Sequence, residues 1–445
     1  MIGTSWGWRI FILLLVLTFS CQQVPTDHTK GRDLAFMLHE WNEQVTTIMV
    51  GDGFSPLLAS RTFAYANIAS YEVLALADTA LVSVAGKLNG LGNIASPDKK
   101  ENYCAELAAL QAYATVAKQL VYRGHYCDSL MAKHLAFFRD SLQMDEAVIE
   151  ASVAYGTAAG NTVLDWANND NYNQTKSKPK YLFSNEKGKW VPTPPEYRSA
   201  LEPYWHTLRP FTKVDPKTIE DPFTIPYSTA EGSEFYNLVK YVYDKSKNLT
   251  DEERLVATYW DDNPDITTFI GHVPMPRRRM SPPAHWMGIA MHTCITEGLT
   301  LKQAAQIYAM VSVSMADAII FCWKEKYSSN LVRPVTYIQQ MWDPDWQSLI
   351  VTPNFPEHTS GHSAISAAAA QTLTAYFGDP LKFTDFSAEK NGDNPRSFNS
   401  FKDAAWEVSM SRVYGGIHYM TGVEAGIRQG EKVGNYVGNM FKKGD

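Results

Sequence analysis

The sequence predicts an all-α protein: helical bundles with one long irregular segment wrapped around them. Three observations carry this. Apolar residues recur at three- and four-residue spacing, as in Leu34, Leu38, Trp41, Val45 and Ile48, the period of an amphipathic helix. Helix starts and stops are written out in capping residues, glycines and prolines. The composition, 45% hydrophobic and 20% charged over 445 residues, suits a large buried core and excludes a disordered chain, a coiled coil and a collagen-like rod. A net charge of -7 argues against nucleic acid as a partner, because a polyanion binder carries a basic surface. It leaves room for a small cationic pocket.

The first 21 residues stand apart from the fold. Arg9 precedes the apolar run Ile10 to Leu17, and Thr18-Phe19-Ser20-Cys21 follows. A charged start, a short apolar stretch and a small residue describe a secretory signal. Cys21 directly after the small residue resembles a bacterial lipobox, with Leu17 one place early. The expectation is export, lipidation at Cys21, and membrane contact through that anchor only, on the periplasmic or cell-surface side. The run is too short to span a bilayer well. Cys104, Cys127, Cys294 and Cys322 have no zinc-like spacing; two disulfides and four buried thiols are both open.

Helices begin with residues 30–168, the expected N-terminal bundle. Ser55-Pro56 is an N-cap with proline at the first helical position, and it opens an alanine-rich stretch through Asp78. Residues 101–123, 127–143 and 145–168 read as three more helices, whose short connections favour antiparallel neighbours. Residues 169–249 are rich in proline, tryptophan and tyrosine. A structureless linker of that length is improbable in a compact protein, so the segment is expected to wrap the helices with its aromatics as anchors. Residues 250–445 form the C-terminal unit. Thr250-Asp-Glu-Glu and Thr300 to Gln303 are capping boxes. A helix from Thr359 or Ser360 stops at Gly378, with Pro380 beyond, and a last helix runs from about Thr421 to Phe441.

Three short segments of this unit carry the chemistry. Lys326 and Arg333 lie about 10 Å apart if the helix is continuous; Ser328-Ser329-Asn330 can break it and bring them closer. Alone, they read as a solvated surface pair. In Phe355-Pro-Glu-His-Thr-Ser-Gly-His362, Ser360 can cap a helix whose free N–H groups make an anion site. Gly361 lets an oxyanion approach the backbone, and His362 sits in the first turn. Alone, this reads as an N-cap beside a surface histidine. In Ser411-Arg412-Val-Tyr-Gly-Gly-Ile-His418, a guanidinium suited to bidentate oxyanion contact precedes a paired glycine and a second histidine. Alone, His418 reads as a core histidine.

Taken together and in this order, Lys-x6-Arg-Pro, Ser-Gly-His and Ser-Arg-x5-His resemble the signature of the vanadium haloperoxidase and type 2 phosphatidic acid phosphatase superfamily. The resemblance covers about residues 295–435. It implies helical bundles with an oxyanion cage at the end of the C-terminal one. Lys326, Arg333 and Arg412 would neutralise equatorial oxygens, and Ser360 and the Gly361 N–H would donate to them. His418 would bond the central atom, so the metal ligand would be His418, and His362 would be the acid-base group. The implied cofactor is vanadate; phosphate, equally tetrahedral, is admitted by the same cage. Chain length, the exported form and aromatic Trp323 and Phe355 favour the haloperoxidase branch. Those two residues, with His358, are halide-site candidates.

The implied activity is oxidation of halide by hydrogen peroxide to hypohalous acid. One alternative is hydrolysis of a phosphomonoester through a phosphohistidine at His418. Another is a non-catalytic, oxyanion-binding lipoprotein. Two positions depart from the pattern: Thr359 replaces a proline, and Gly422 replaces the aspartate that orients the histidine in phosphatases. That departure puts phosphohistidine chemistry in doubt. Glu424 could substitute, although it reads more simply as solvated, and Asp261-Asp262 could supply a carboxylate to Arg412.

Overall fold

The computed structural model describes residues 28–95, 97, 102–264 and 266–442. The expected signal sequence and Cys21 lie outside the described residues. The chain forms α1 (Ala35–Asp52), α2 (Pro56–Ala77), α3 (Ala105–Leu120), α4 (His125–Ala136) and α5 (Glu146–Asn168). Ser55 caps α2 by accepting from the Leu58 N–H. A five-residue π-helical turn, Phe137–Ser141, extends α4. Helices α3 and α5 pack together, and α3 also packs on α2.

The wrapping segment carries single turns α6 (Tyr172–Thr175) and α7 (Pro216–Ile219). It then departs from the expectation of irregular chain up to residue 249: α8 (Glu234–Lys247) is a regular helix capped by Ser233. Its polar, tyrosine-rich sequence buries only Phe235, Val239 and Val242, too few apolar positions to stand out as a period. They join a separate small apolar cluster with Val335, Ile338 and Trp346. Elsewhere the aromatics anchor the segment, with Trp190, Trp205 and Phe211 buried. Asp317, buried in the helix Leu301–Ser329, accepts hydrogen bonds from the Phe211 N–H (2.6 Å), the Thr212 N–H (2.9 Å) and the Thr212 hydroxyl (2.6 Å).

The C-terminal part contains α9 (Asp251–Tyr259), hairpin β1 (Ile266–Ile270) and β2 (Val273–Arg277), then α10 (Pro282–Thr296) and α11 (Leu301–Ser329). It continues with α12 (Pro334–Met341), α13 (Gly361–Phe377), a second hairpin of β3 (Phe383–Asp385) and β4 (Arg396–Phe398), α14 (Phe401–Tyr414) and α15 (Met420–Met440). Both capping boxes form, at Thr250 with Glu253 and at Thr300 with Gln303. Helix α11 is long and apolar enough to cross a membrane, yet 94% of its most apolar window is buried inside the protein. It packs on α2 on one side and on α13 and α15 on the other. One hydrophobic core therefore runs through both helical halves, from Leu34 to Phe441.

Helices α13 and α15 meet at backbone distance. A Cβ added at Gly430 would lie 2.3 Å from the Ala364 carbonyl oxygen, and one at Gly426 would lie 2.6 Å from that of Ser360. Glycines every fourth residue of α15 thus face alanines of α13, and this contact fixes the start of α13, where Ser360 and His362 sit. All four described cysteines are buried thiols without a disulfide.

Candidate oxyanion site

Four chain reversals bring the three motifs together. Helix α11 ends at Asn330, in the left-handed conformation (φ 50°), whose N–H bonds the Lys326 carbonyl. Three residues later Arg333 stands at the N-cap position of α12, with Pro334 as its first residue. Ser360 caps α13 through its hydroxyl, which accepts from the Ser363 N–H (3.3 Å) and the Ser363 hydroxyl (2.8 Å). Arg412 lies in the last turn of α14, and Gly416 (φ 78°) turns the chain toward His418 at the start of α15.

Lys326, Arg333, Arg412, Ser360 and His418 are all buried. Arg333 donates through Nε to the Phe355 carbonyl (2.9 Å) and through Nη1 to the Ile417 carbonyl (2.7 Å). Nη1 also faces His418 Nε2 at 3.1 Å. Arg333 Nη2 has no hydrogen-bond partner. Arg412 donates to Ser411 Oγ (2.8 Å) and to the Trp260 carbonyl, and its Nη1 faces His362 Nε2 at 3.3 Å. The expected carboxylate partner for Arg412 is therefore a backbone carbonyl; Asp261 and Asp262 act on it only as nearby charges.

Lys326 Nζ donates to the carbonyls of Pro356 (3.0 Å), Glu357 (3.0 Å) and Thr359. Its three protons are so engaged, and as placed it holds the loop before α13 and offers an anion charge alone. The Phe355 ring lies under both cations, 4.9 Å from Lys326 Nζ and 5.1 Å from Arg333 Cζ, and packs on Trp323 at 4.9 Å.

Burial, reinforced by the neighbouring cations, holds both His362 and His418 well below the usual histidine range. Burial lowers Lys326 to about 7 and Arg333 and Arg412 to about 10. Two guanidinium cations and a lysine poised between its charged and neutral forms thus surround two neutral imidazoles. Buried charge is costly unless paired, so this arrangement, with an orphaned guanidinium N–H, fits a tetrahedral oxyanion.

One residue of the site was not anticipated. Glu357 Oε1 accepts from His418 Nδ1 (2.7 Å) and from the Tyr419 N–H (3.0 Å). Nδ1 therefore carries the proton, and Nε2, opposite a guanidinium donor, presents its lone pair. Burial raises Glu357 to about 7, against the pull of Arg333 and Lys326. Glu424 is exposed and takes no part. The signal for Glu357 was the missing aspartate: a Cβ at Gly422 would lie 2.3 Å from Glu357 Oε1, so the glycine vacates the space that the glutamate fills.

A cleft of about 240 Å³ reaches the site at Phe355, His362, Arg412 and Ile417. The wrapping segment supplies another wall through Arg198, Leu201 and Glu202. The Leu201 carbonyl accepts from Trp323 Nε1 (3.3 Å) and the Tyr327 hydroxyl (2.7 Å). His358 is not on this lining. Its Nε2 bonds the Asp221 carbonyl (2.7 Å), its ring packs on Phe223, and burial lowers it to about 4. Of the three aromatic candidates, Phe355 lines the cleft, Trp323 packs behind it and His358 lies elsewhere.

Fold and site define a helical protein with a buried, cation-lined cleft whose chemistry suits a small oxyanion. The family model described as VCPO second helical-bundle domain matches residues 306–444. The vanadium chloroperoxidase of Curvularia inaequalis is 31% identical over 88 residues, 16% of this chain and 14% of that protein's length. The crystal structure of a bacterial vanadium-dependent iodoperoxidase is 38% identical, covers 92% of this chain and 97% of its own, and superposes with a TM-score of 0.85. A bacterial vanadium-dependent chloroperoxidase shares the fold at 18% identity, covering 87% of this chain and 92% of its own, with a TM-score of 0.63. The chain belongs to the vanadium-dependent haloperoxidase family.

Proposed function

We propose that this enzyme binds vanadate in the cage and oxidises halide with hydrogen peroxide to hypohalous acid. The observation that carries the reading is the buried excess of positive charge around His418 Nε2 and the unpartnered Arg333 Nη2. Vanadate, when bound, supplies a Lewis-acidic centre that activates peroxide without changing oxidation state. Arg333 and Arg412 hold the anion through fixed donors, and Lys326 balances its charge. Ser360 Oγ and the Gly361 N–H add neutral donors at the start of α13. His418, kept by Glu357 in the tautomer with a bare Nε2, would be the ligand to the vanadate. His362, neutral and beside Arg412, accepts a proton from hydrogen peroxide at Nε2 and returns it to the departing oxygen.

Iodide is the first halide to test, because the iodoperoxidase is 38% identical. The protein is titrated with vanadate and assayed with peroxide and iodide, then bromide. Saturable, vanadate-dependent halide oxidation is expected; none with any halide at any vanadate level would sink the reading. The second reading, phosphomonoester hydrolysis, is favoured by one observation: Glu357 supplies the histidine-orienting carboxylate that Gly422 lacks. Phosphatase turnover inhibited by vanadate would select it. We also propose export and lipidation at Cys21, supported by the sequence alone; mass spectrometry of the N-terminal peptide tests it.

A further inference from the structure

Beside the Arg412 and His362 end of the cage lies a second buried charge cluster that the proposed chemistry does not use. His285, in the first turn of α10, has no exposed surface. Its Nδ1 meets Asp262 Oδ2 at 2.8 Å and its Nε2 meets Asp385 Oδ2 at 2.7 Å. Asp385, on β3, also accepts from the Tyr259 hydroxyl (2.8 Å) and the Ser387 N–H (2.8 Å). A neutral imidazole has one N–H and would turn a lone pair toward one of the carboxylates. An imidazolium, with two N–H donors, satisfies both carboxylates in their ionised form.

The cluster touches the cage through three consecutive residues. The Trp260 ring lies over His285 at 4.5 Å, tilted 30°, while the Trp260 carbonyl accepts from Arg412. The Asp261 carbonyl accepts from the His362 ring. Asp262 lines the cleft and holds a positive φ of 35°, a conformation that persists only where its surroundings over-determine it. Its Oδ1 has no hydrogen-bond partner, so among the described residues its carboxylate is held by His285. The turn that presents carbonyls to Arg412 and His362 is thus clamped from behind by one cation.

We propose that His285 is a permanently charged positioning residue: bridging Asp262 and Asp385, it fixes the 260–262 turn that orients Arg412 and His362 for the oxyanion. The inference rests on the oxyanion reading of the site. The charged and titratable groups facing the clamp are Asp262 and Tyr259 from the α9 end, Asp385 from β3, His292 from α10, His362 from α13, Arg412 from α14 and Arg396 from β4. The two carboxylates outweigh burial and raise His285 to about 10.

Two measurements test this. Nitrogen NMR of the 15N-histidine-labelled protein should show both ring nitrogens of His285 protonated up to about pH 9; a His285 with one bare nitrogen near neutral pH overturns the clamp. Calorimetric titration with orthovanadate and with inorganic phosphate should show affinity reduced roughly tenfold or more in His285→Gln. Tyr259→Phe, which removes only the hydroxyl on Asp385, should give a smaller loss in the same direction. In a double-mutant cycle with Arg412→Lys, the two losses should be less than additive, because His285 acts through Arg412. Additive losses, or full affinity in a folded His285→Gln protein, overturn the proposal. If the unaltered protein binds neither anion, the oxyanion reading has failed instead, while the NMR result still decides the clamp.

Discussion

At the scale of single residues, the pairing of Glu357 with Gly422 leads to an exchange experiment. Glu357→Ala leaves His418 Nδ1 without its acceptor, and vanadate affinity should fall by about 10- to 100-fold, the usual cost of losing such a supporting partner. Adding Gly422→Asp to that variant should restore a large part, because the new carboxylate occupies the vacated space. Gly422→Asp alone should be harmful, since its Cβ would lie 2.3 Å from Glu357 Oε1. Vanadate calorimetry on the three variants checks all of this. Lys326 gives a second expectation. Lowered to about 7, it is neutral at alkaline pH in the free protein, and a bound anion favours its charged form. Anion binding above neutrality should therefore take up a proton and weaken as pH rises, as calorimetry in buffers of differing ionisation enthalpy would show. Lys326, Arg333, Arg412 and both histidines were legible in the sequence as motifs. Glu357 was not, because it meets His418 across 61 residues of chain and locally reads as a loop charge.

At the scale of elements, the α13–α15 contact is the one to break. Gly430→Ala places a Cβ 2.3 Å from the Ala364 carbonyl and 2.7 Å from Ala367 Cβ. Backbone cannot rotate aside as a side chain can, so an overpacking cost of about 1–3 kcal/mol is expected, read by denaturant unfolding. Anion affinity should fall with it, because the displaced helix carries Ser360, Gly361 and His362 at its start. Helices with chemical punctuation were readable in advance: Thr250 and Thr300 announce α9 and α11, and Gly378 ends α13. Helix α8 escaped because three buried apolar side chains in 14 residues make a faint stripe. Helix α14 is obscured for the opposite reason: it buries Ser409, Ser411 and Arg412 beside Phe401 and Val408, so function blurs its period.

At the scale of the molecule, the wrapping segment is tied to the shared core at Asp317. Asp317→Ala strands the N–H groups of Phe211 and Thr212 in the interior, at about 1–3 kcal/mol for each group left unsatisfied. Faster amide exchange over residues 193–212 should report the release, and the cleft wall at Leu201 should loosen with it. His285 sets an alkaline limit on the whole fold. Its pKa is raised from 6.5 to about 10, so its stabilising contribution is complete below about pH 6.5 and is lost as pH rises through about 10. Thermal midpoints measured across that window should fall in the unaltered protein and stay flatter in His285→Gln.

The origin of the cleft wall has an evolutionary consequence. Arg198, Leu201 and Glu202 belong to a stretch that contributes none of the side chains of the proposed cage. Mutations there can reshape who enters the chamber while the reactive floor stays untouched. Descendants of such a chain can diversify their diet of small molecules without relearning the chemistry.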